Sequence, residues 1–428
     1  MGAESTQRSL KTEVVARLHD RLAELATLSD DVGQLTRWFQ SDAMRRVQAR
    51  FSEWGGDAGL EVSVDAVGNL RLRWRPDPSR TAPSLLVMGS HLDTVRNAGR
   101  YDGALGVLSG LACLEQLQHW GEVPPFDIEV VGFADEEGLR FQTAYLGSAY
   151  YAGVFSPEWL TRTDATGVSM EAVLSRSGRP AAEIPADQRA PEGLRGYLEL
   201  HIEQGPQLEV ENRAVGVVSA IAAQTRARLM FSGQAGHAGT TPMNLRRDAL
   251  CAAAEAILAI EAQARSVTGL RATVGQVAIE PGASNVIPEG VSLSLDIRHA
   301  DHAILATSIV SLREVLKRST SQRGIELIWE MLQEGEAVSM DAELTANLRA
   351  SAESRQGSTP TLVSGAGHDA VVMARVCPVA MVFVRCRGGL SHHPDEYASP
   401  VDMELGLAVL TDAVCRLAHA GREPRVVV

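Results

Sequence analysis

Gly89-Ser90-His91-Leu92-Asp93-Thr94, followed by Gly99-Arg100-Tyr101-Asp102-Gly103, decides how the rest of the chain is read. The apolar run Ser84-Leu85-Leu86-Val87-Met88 before it has the length and composition of a buried strand, and residues 103–120 carry apolar side chains at helical spacing. His91 and Asp93 therefore belong at the carboxyl end of a strand and Asp102 at the entry to a helix. That is the edge of an α/β sheet where ligands bind. The run from Ile128 to Ala134, followed by Asp135-Glu136-Glu137-Gly138, repeats the pattern. Neighbouring strand ends would gather an imidazole and several carboxylates in one crevice. Crowded carboxylates repel one another and take up protons unless a cation compensates them, so the pattern points to one or two divalent metal ions.

The composition is that of an ordinary globular protein: 428 residues, 45% hydrophobic and 22% charged, enough for two domains. A formal net charge of −13 argues against nucleic-acid or anionic-membrane partners, while leaving room for an anionic small substrate held by local basic groups. The cysteines (Cys113, Cys251, Cys377, Cys386 and Cys415) are odd in number and form no C-x-x-C pair, which reads as reduced thiols in a cytoplasmic protein. The stretch Met1–Lys11 is polar, unlike a secretory signal, and no apolar run is long enough for a membrane span. Met1-Gly2 with Thr6 fits an acylation pattern short enough to match by chance.

Helices are expected over 11–28 and 42–54, the second stopped by Gly55-Gly56, then a hairpin from 60–65 and 69–74. Residues 156–190 read as a helix-loop segment folded over the site. Tyr197 to Glu203 alternates as a strand, with Glu199, His201 and Glu203 on one face. From about Asn212 the order becomes strand 224–231, helix 244–265, strands 270–279 and 291–298, helix 301–317, strand 325–331. This βαββαβ order is a ferredoxin-like unit that folds alone. The first style then resumes, with helices 340–352, 369–374 and 400–417 and a strand at 379–384. The expected fold is α/β: a mixed-sheet domain with helices on both faces, built from 1–213 and 333–428, carrying an inserted domain at 214–332.

The candidate metal ligands are His91, Asp102, Glu136 or Glu137, His201, and His392 or His393. H-E-x-x-H is absent, so the ligands are not carried on a zincin helix. Adjacent Glu136 and Glu137 project to different sides of an extended segment. One can hold metal while the other faces water and substrate and moves a proton to a leaving nitrogen. Gly233 to Pro242 is glycine-rich but lacks the ending of a P-loop; His237 within it could donate to an oxyanion. Arg298, at a strand end, could clamp a carboxylate. No serine sits in a G-x-S-x-G elbow, and Cys386 lacks a nearby histidine partner.

These motifs, with His201-Ile202-Glu203-Gln204-Gly205-Pro206, Gly236-His237-Ala238-Gly239, Ser364-Gly365-Ala366-Gly367-His368-Asp369-Ala370 and Ser391-His392-His393-Pro394, resemble the M20 peptidase-like metallohydrolases. The branch is that of the hydantoinase/carbamoylase-type amidases, which includes N-carbamoyl-L-amino acid amidohydrolases, β-ureidopropionases and allantoate amidohydrolases. The resemblance runs from about Leu35 to Leu417, and residues 89–102 and 383–389 are most similar to the allantoate enzymes. It implies two divalent metal ions (zinc or manganese, with cobalt or nickel as alternatives) bridged by Asp102. It makes His91 and His201 ligands to opposite metals, with Glu137 and His392 as the others. It makes Glu136 the general acid/base and Asp93 the carboxylate that orients His91. It gives His237 an oxyanion-stabilising role, often supplied by a neighbouring subunit. Gln204, Asn285 and Arg298, with Gly365 and Ala366, would bind the substrate's carboxylate and ureido ends. The inserted domain would be the lid and dimerisation domain of a homodimer, and the strand end Arg385-Cys386-Arg387 a support for a third polar position. The implied reaction cleaves a terminal ureido (carbamoyl) group of a small carboxylate: allantoate, giving ureidoglycine or ureidoglycolate with ammonia and carbon dioxide. An N-carbamoyl amino acid is the alternative substrate, and a peptidase or an inactive metal-binding homologue a further reading.

Overall fold

A computed structural model describes residues 8–184 and 188–420. Most of the polar N-terminal stretch, with the acylation pattern, lies outside the described residues. The chain divides into two compact units: Met1–Ser219 with Met340–Leu362 and His368–Val428, and Ala220–Ser339 with Val363–Gly367. The junctions fall a few residues later than 213/214 and 332/333. Val215–Ile221, which the sequence did not mark as a strand, extends the large sheet, and the last strand of the second unit runs on to Gly335. The two junctions lie side by side, with the Met340 N–H donating to the Ser219 carbonyl at 3.0 Å.

In the first unit we number the strands β1 (Glu61–Val64), β2 (Leu70–Trp74), β3 (Leu85–His91), β4 (Asp127–Phe133), β5 (Leu194–Ile202), β6 (Val215–Ile221) and β7 (Val379–Val384). Their order in the sheet is β1-β2-β4-β3-β5-β7-β6. The central strands β4, β3, β5 and β7 are parallel, so their carboxyl ends, carrying Asp135, His91, His201 and Arg385, face one edge. Strands β3 and β4 are buried along their whole length, as expected of parallel strands covered on both faces. Leu198, Leu200 and Ile202 of β5 join the main core with helices Thr12–Leu25, Ala104–His119 and Pro400–His419. The alternation of β5 sends Tyr197, Glu199 and His201 to the other face, where short helices Leu146–Tyr151 and Ala370–Met373 pack. Within residues 156–190, Met170, Val173 and Leu174 bury against Phe39, Val67, Phe141 and Leu146.

The helix Asp42–Asp57 does not stop at Gly55-Gly56. A Cβ on Gly55 would come within 2.8 Å of Leu72 and Val62, so this glycine serves close packing on the hairpin inside the helix. Glu203 also leaves its expected row. Strand β5 ends at Ile202, and the Glu203 carboxylate accepts the N–H groups of Gln207 and Leu208 at 2.7 and 2.9 Å.

The second unit is an antiparallel sheet in the order Glu326–Gly335, Ala223–Ser232, Gly290–His299, with Arg271–Thr273 and Val277–Glu280 both on the outer edge of Gly290–His299. This is the βαββαβ order, with the second strand broken in two. Helices Ala249–Ser266 and His302–Gln322 cover one face, Ala249, Ala252, Ala253 and Ala256 allowing the first to pack closely. It starts later than expected because the Asp248 carboxylate caps it, accepting from Leu250 and Cys251 N–H; Met243–Leu245 is a separate single turn.

Candidate metal centre

Three parallel strand ends and one loop build the site in the first unit. His91 ends β3 and His201 lies one residue before the end of β5, so adjacent strands hold the two rings 5.9 Å apart. Asp102 enters the helix Ala104–His119 facing both. Its Oδ1 lies 3.1 Å from His201 Nε2 and 3.6 Å from His91 Nε2. Its Oδ2 lies 3.2 Å from His392 Nε2, and the same nitrogen is 3.3 Å from Glu137 Oε1. Two trios share Asp102: His91, Asp102 and His201, and Asp102, Glu137 and His392. This corrects one expectation. His91 and His201 stand on the same carboxylate oxygen, because β3 and β5 are neighbours in register, and so group together instead of lying on opposite sides of Asp102. Of the paired histidines, His392 faces the cluster, while His393 is exposed and its Nδ1 accepts from the Asp395 N–H at 3.1 Å.

A divalent ion fits this arrangement. His91 Nδ1 lies 3.0 Å from the Asp93 carbonyl and His201 Nδ1 lies 2.9 Å from the Ile202 carbonyl. Each contact holds the proton on Nδ1 and turns the Nε2 lone pair toward Asp102. Asp102 Oδ1 and His201 Nε2 are buried and make no hydrogen bond. With Nε2 unprotonated, two lone pairs face each other and repel, and either a proton on the ring or an ion between them relieves this. Two ligands of one ion, each at about 2.1 Å and about 90–110° apart, stand roughly 3.0–3.4 Å from each other, close to the separations seen here.

The electrostatics have the same origin. Burial opposes the charge on Asp102, but His201, His392 and His91 outweigh it and hold the carboxyl well below its usual range. Burial pushes Glu136 well above the usual range, helped by the neighbouring Glu137 and Asp369 and opposed by His91. Burial also raises Asp135 and Asp369, and lowers His368 below the usual imidazole value. Arg37, fully buried, donates to the Leu92 carbonyl at 2.7 Å; burial lowers it to about 10 against the opposing pull of Asp93.

Several assigned residues do something other than expected. The Asp93 carboxylate, 3.7 Å from His91 Nδ1, is too distant for a hydrogen bond. It accepts the N–H groups of Glu136 and Glu137 at 3.0 and 3.1 Å, so it positions the acidic pair, while its carbonyl orients His91. The Gln204 amide spends its N–H groups on Asp102 Oδ2 and Ser391 Oγ, both at 3.1 Å, leaving its carbonyl for other partners. Arg385 is bound by Asp402 and Asn212, and Arg387 stacks on Tyr397, so neither is a free cation at that strand end.

The second unit holds the other assigned residues. His237 pairs with Val286 across a two-residue ladder, and the Ala238 N–H donates to the Asn285 carbonyl at 3.0 Å, so His237 and Asn285 are neighbours. Arg298 is held by Asp296 through Nε and Nη2 and donates through Nη1 to the Gly365 carbonyl. That places it beside Gly365 and Ala366 with two of its five N–H groups remaining.

Two residues at the centre were missed. His368, quoted in a motif without a role, sets its ring edge-on to His201 with centroids 4.5 Å apart. Glu396 is buried and accepts the N–H groups of Tyr101 and Asp102. Nothing distinguishes it in the sequence from a solvated acid in the loop Pro394-Asp395-Glu396.

Comparison with known proteins gives the family. Residues 87–416 match the model of peptidase family M20/M25/M40. A protein of Oryza sativa subsp. japonica described as "Probable allantoate deiminase" is 39% identical, covering 91% of this chain and 86% of its own length. The N-carbamoyl-L-amino acid amidohydrolase of Geobacillus stearothermophilus is 37% identical, covering 94% and 98%. The crystal structure of a hydantoinase/carbamoylase family amidase from Burkholderia multivorans superposes with a TM-score of 0.89 at 35% identity, covering 96% and 98%.

Proposed function

The chain belongs to peptidase family M20/M25/M40, and from that premise we propose that it is an amidohydrolase with two divalent ions that removes the terminal carbamoyl unit of one ureido group of allantoate. The observation that carries the reading is Asp102, shared between the two trios, with Glu136 standing beside His91 and Glu137. His91 and His201 would hold one ion and Glu137 and His392 the other, with Asp102 available to both. Zinc or manganese suits these ligands, with cobalt or nickel next. When bound, such ions would polarise the ureido carbonyl and acidify water.

The protein's own groups do the rest. Glu136, buried and raised above the usual carboxyl range, takes the proton from the attacking water and gives it to the departing nitrogen. Asp93 keeps that carboxylate in place through the backbone of Glu136 and Glu137. The carbonyl of Gln204 is available to the N–H groups of a ureido end. His237 stabilises the oxyanion, and Asn285 and Arg298, with the Gly365-Ala366 segment, bind the carboxylate and the second ureido group. Water adds to the carbonyl carbon of one ureido group, the bond to its terminal NH2 breaks to release ammonia, and the carbamate left on the inner nitrogen loses carbon dioxide to give ureidoglycine. The five free cysteines are consistent with a reducing cytoplasm, and no helix among the described residues is long and apolar enough to cross a membrane.

A substrate panel tests the choice between the two named activities. Allantoate carries two ureido groups and a carboxylate, whereas a carbamoylase needs an apolar pocket for a side chain. A site with polar groups left unpaired discriminates against a ligand that cannot satisfy them. The expected kcat/KM for allantoate exceeds that for N-carbamoyl-alanine, -methionine and -β-alanine by at least about tenfold, about 1.4 kcal/mol. Arg298→Ala weakens all four together, since each carries the carboxylate. N-carbamoyl-methionine beating allantoate would transfer the assignment to the carbamoylases.

The protein is proposed to act as a homodimer in which His237 serves the partner's site. Mixing inactive Glu136→Gln and His237→Ala protomers should then restore part of the activity, because one site of each mixed dimer is intact. No recovery after demonstrated subunit exchange would assign His237 to its own subunit or remove it from catalysis.

A further inference from the structure

We propose that Glu396 is the positioning residue of the metal centre, fixing the shared ligand Asp102 and tying it to the segment that carries His392. Glu396 is 4% exposed. Its Oε1 accepts the Tyr101 N–H at 2.9 Å and the Asp102 N–H at 3.1 Å; its Oε2 accepts the Ser391 hydroxyl at 2.8 Å. That hydroxyl has a single hydrogen. The 2.8 Å contact claims it ahead of Asp102 Oδ2 at 3.3 Å, leaving the Ser391 oxygen to accept from Gln204 Nε2. A closed ring results: Glu396 holds the Asp102 backbone and Ser391, Ser391 holds Gln204, and Gln204 holds the Asp102 side chain. Two neighbouring N–H groups on one carboxylate oxygen make a charge-assisted anchor, set where Asp102 must face His91, His201 and His392 at once. Gly99 shows how closely the acid is seated, since a Cβ there would lie 2.3 Å from Glu396 atoms.

This inference rests on the metal reading above, and the two fail in different ways. The experiment titrates chelator-stripped protein with Mn2+ by calorimetry, for the unchanged chain, Glu396→Gln, Glu396→Ala and Ser391→Ala, and records the melting temperature of each with and without the ion. Partners behind metal ligands typically contribute about 10–100-fold in affinity. The expected order is unchanged chain, then Glu396→Gln, which keeps one acceptor, then Glu396→Ala, at least about tenfold weaker than the start. Ser391→Ala breaks the ring while leaving the backbone anchor, and weakens binding less than Glu396→Ala. The rise in melting temperature on adding Mn2+ shrinks in the same order, which a loss of general packing would not produce. Mn2+ affinity equal to the unchanged chain in Glu396→Ala overturns the proposal. An unchanged chain that takes up no ion overturns the metal reading, and this proposal with it.

Discussion

Asp102→Ala leaves a folded protein that retains little or no divalent metal and hydrolyses allantoate at least about a thousandfold more slowly, roughly 4 kcal/mol of lost transition-state stabilisation. The expectation follows from how completely the carboxylate is used. Its Oδ1 serves His201 and His91, and its Oδ2 serves His392 while accepting from Gln204. Without it, the two trios become two pairs, and neither is a closed site. The fold survives because the substitution spares the backbone: the Tyr101 and Asp102 N–H groups still bind Glu396. Metal analysis of the desalted protein and initial rates check both halves. As a control, the unchanged chain stripped with chelator loses activity and regains it with manganese or zinc. Stripped, unchanged protein turning over at full rate would end the metal hypothesis.

Glu136→Gln gives the opposite signature on metal: ion content stays near that of the unchanged chain while turnover falls by at least about a hundredfold. Glutamine keeps the shape of the side chain and its backbone N–H, which donates to Asp93 Oδ1 at 3.0 Å. It removes only the capacity to accept a proton and return it. Burial, which lifts the Glu136 carboxyl, suits the residue to that exchange. Glu137 differs in facing His392 at 3.3 Å, so Glu137→Gln should lower metal content as well as rate. If Glu136→Gln lost metal or kept its turnover, the two roles would be exchanged.

Strands β3 and β4 were legible because parallel strands buried on both faces are nearly continuous apolar runs, with polar residues marking their ends, and β5 was legible from its alternation. The βαββαβ order was legible from alternation within strands and helical spacing between them, while the cap at Asp248 was not, so the first helix was expected from 244. Strand β6 was not, because Val215–Ile221 runs almost directly into the strand Ala223–Ser232, with one residue between them to mark the boundary. Within the site, residue type indicated which groups could bind metal but not which hydrogen bonds they had already made. Arg298 has a carboxylate two residues away, and Gln204 binds a metal-ligand candidate instead of offering its N–H groups. Glu396 carries no local pattern at all; its backbone partners Tyr101 and Asp102 lie nearly three hundred residues earlier in the chain, a relation that only the folded sheet creates.

The place of β7 between β5 and β6 bears on how the chain is made. Strand β5 is finished early in translation, but its neighbour is encoded far downstream, at Val379–Val384. At about 5–20 residues per second, ribosomes take on the order of ten seconds or more to cover that distance. During that interval every strand of the second unit's main sheet, from Ala223 to Gly335, has already emerged and can pair locally. Meanwhile β5 presents an apolar edge, with Leu198, Leu200 and Ile202, to whatever it meets. An open, hydrophobic edge strand is a template for wrong pairing. Nascent chains stalled before Val379 are therefore the form of this protein that most needs a holdase, and the final stretch of synthesis closes the sheet and delivers His392 in the same step.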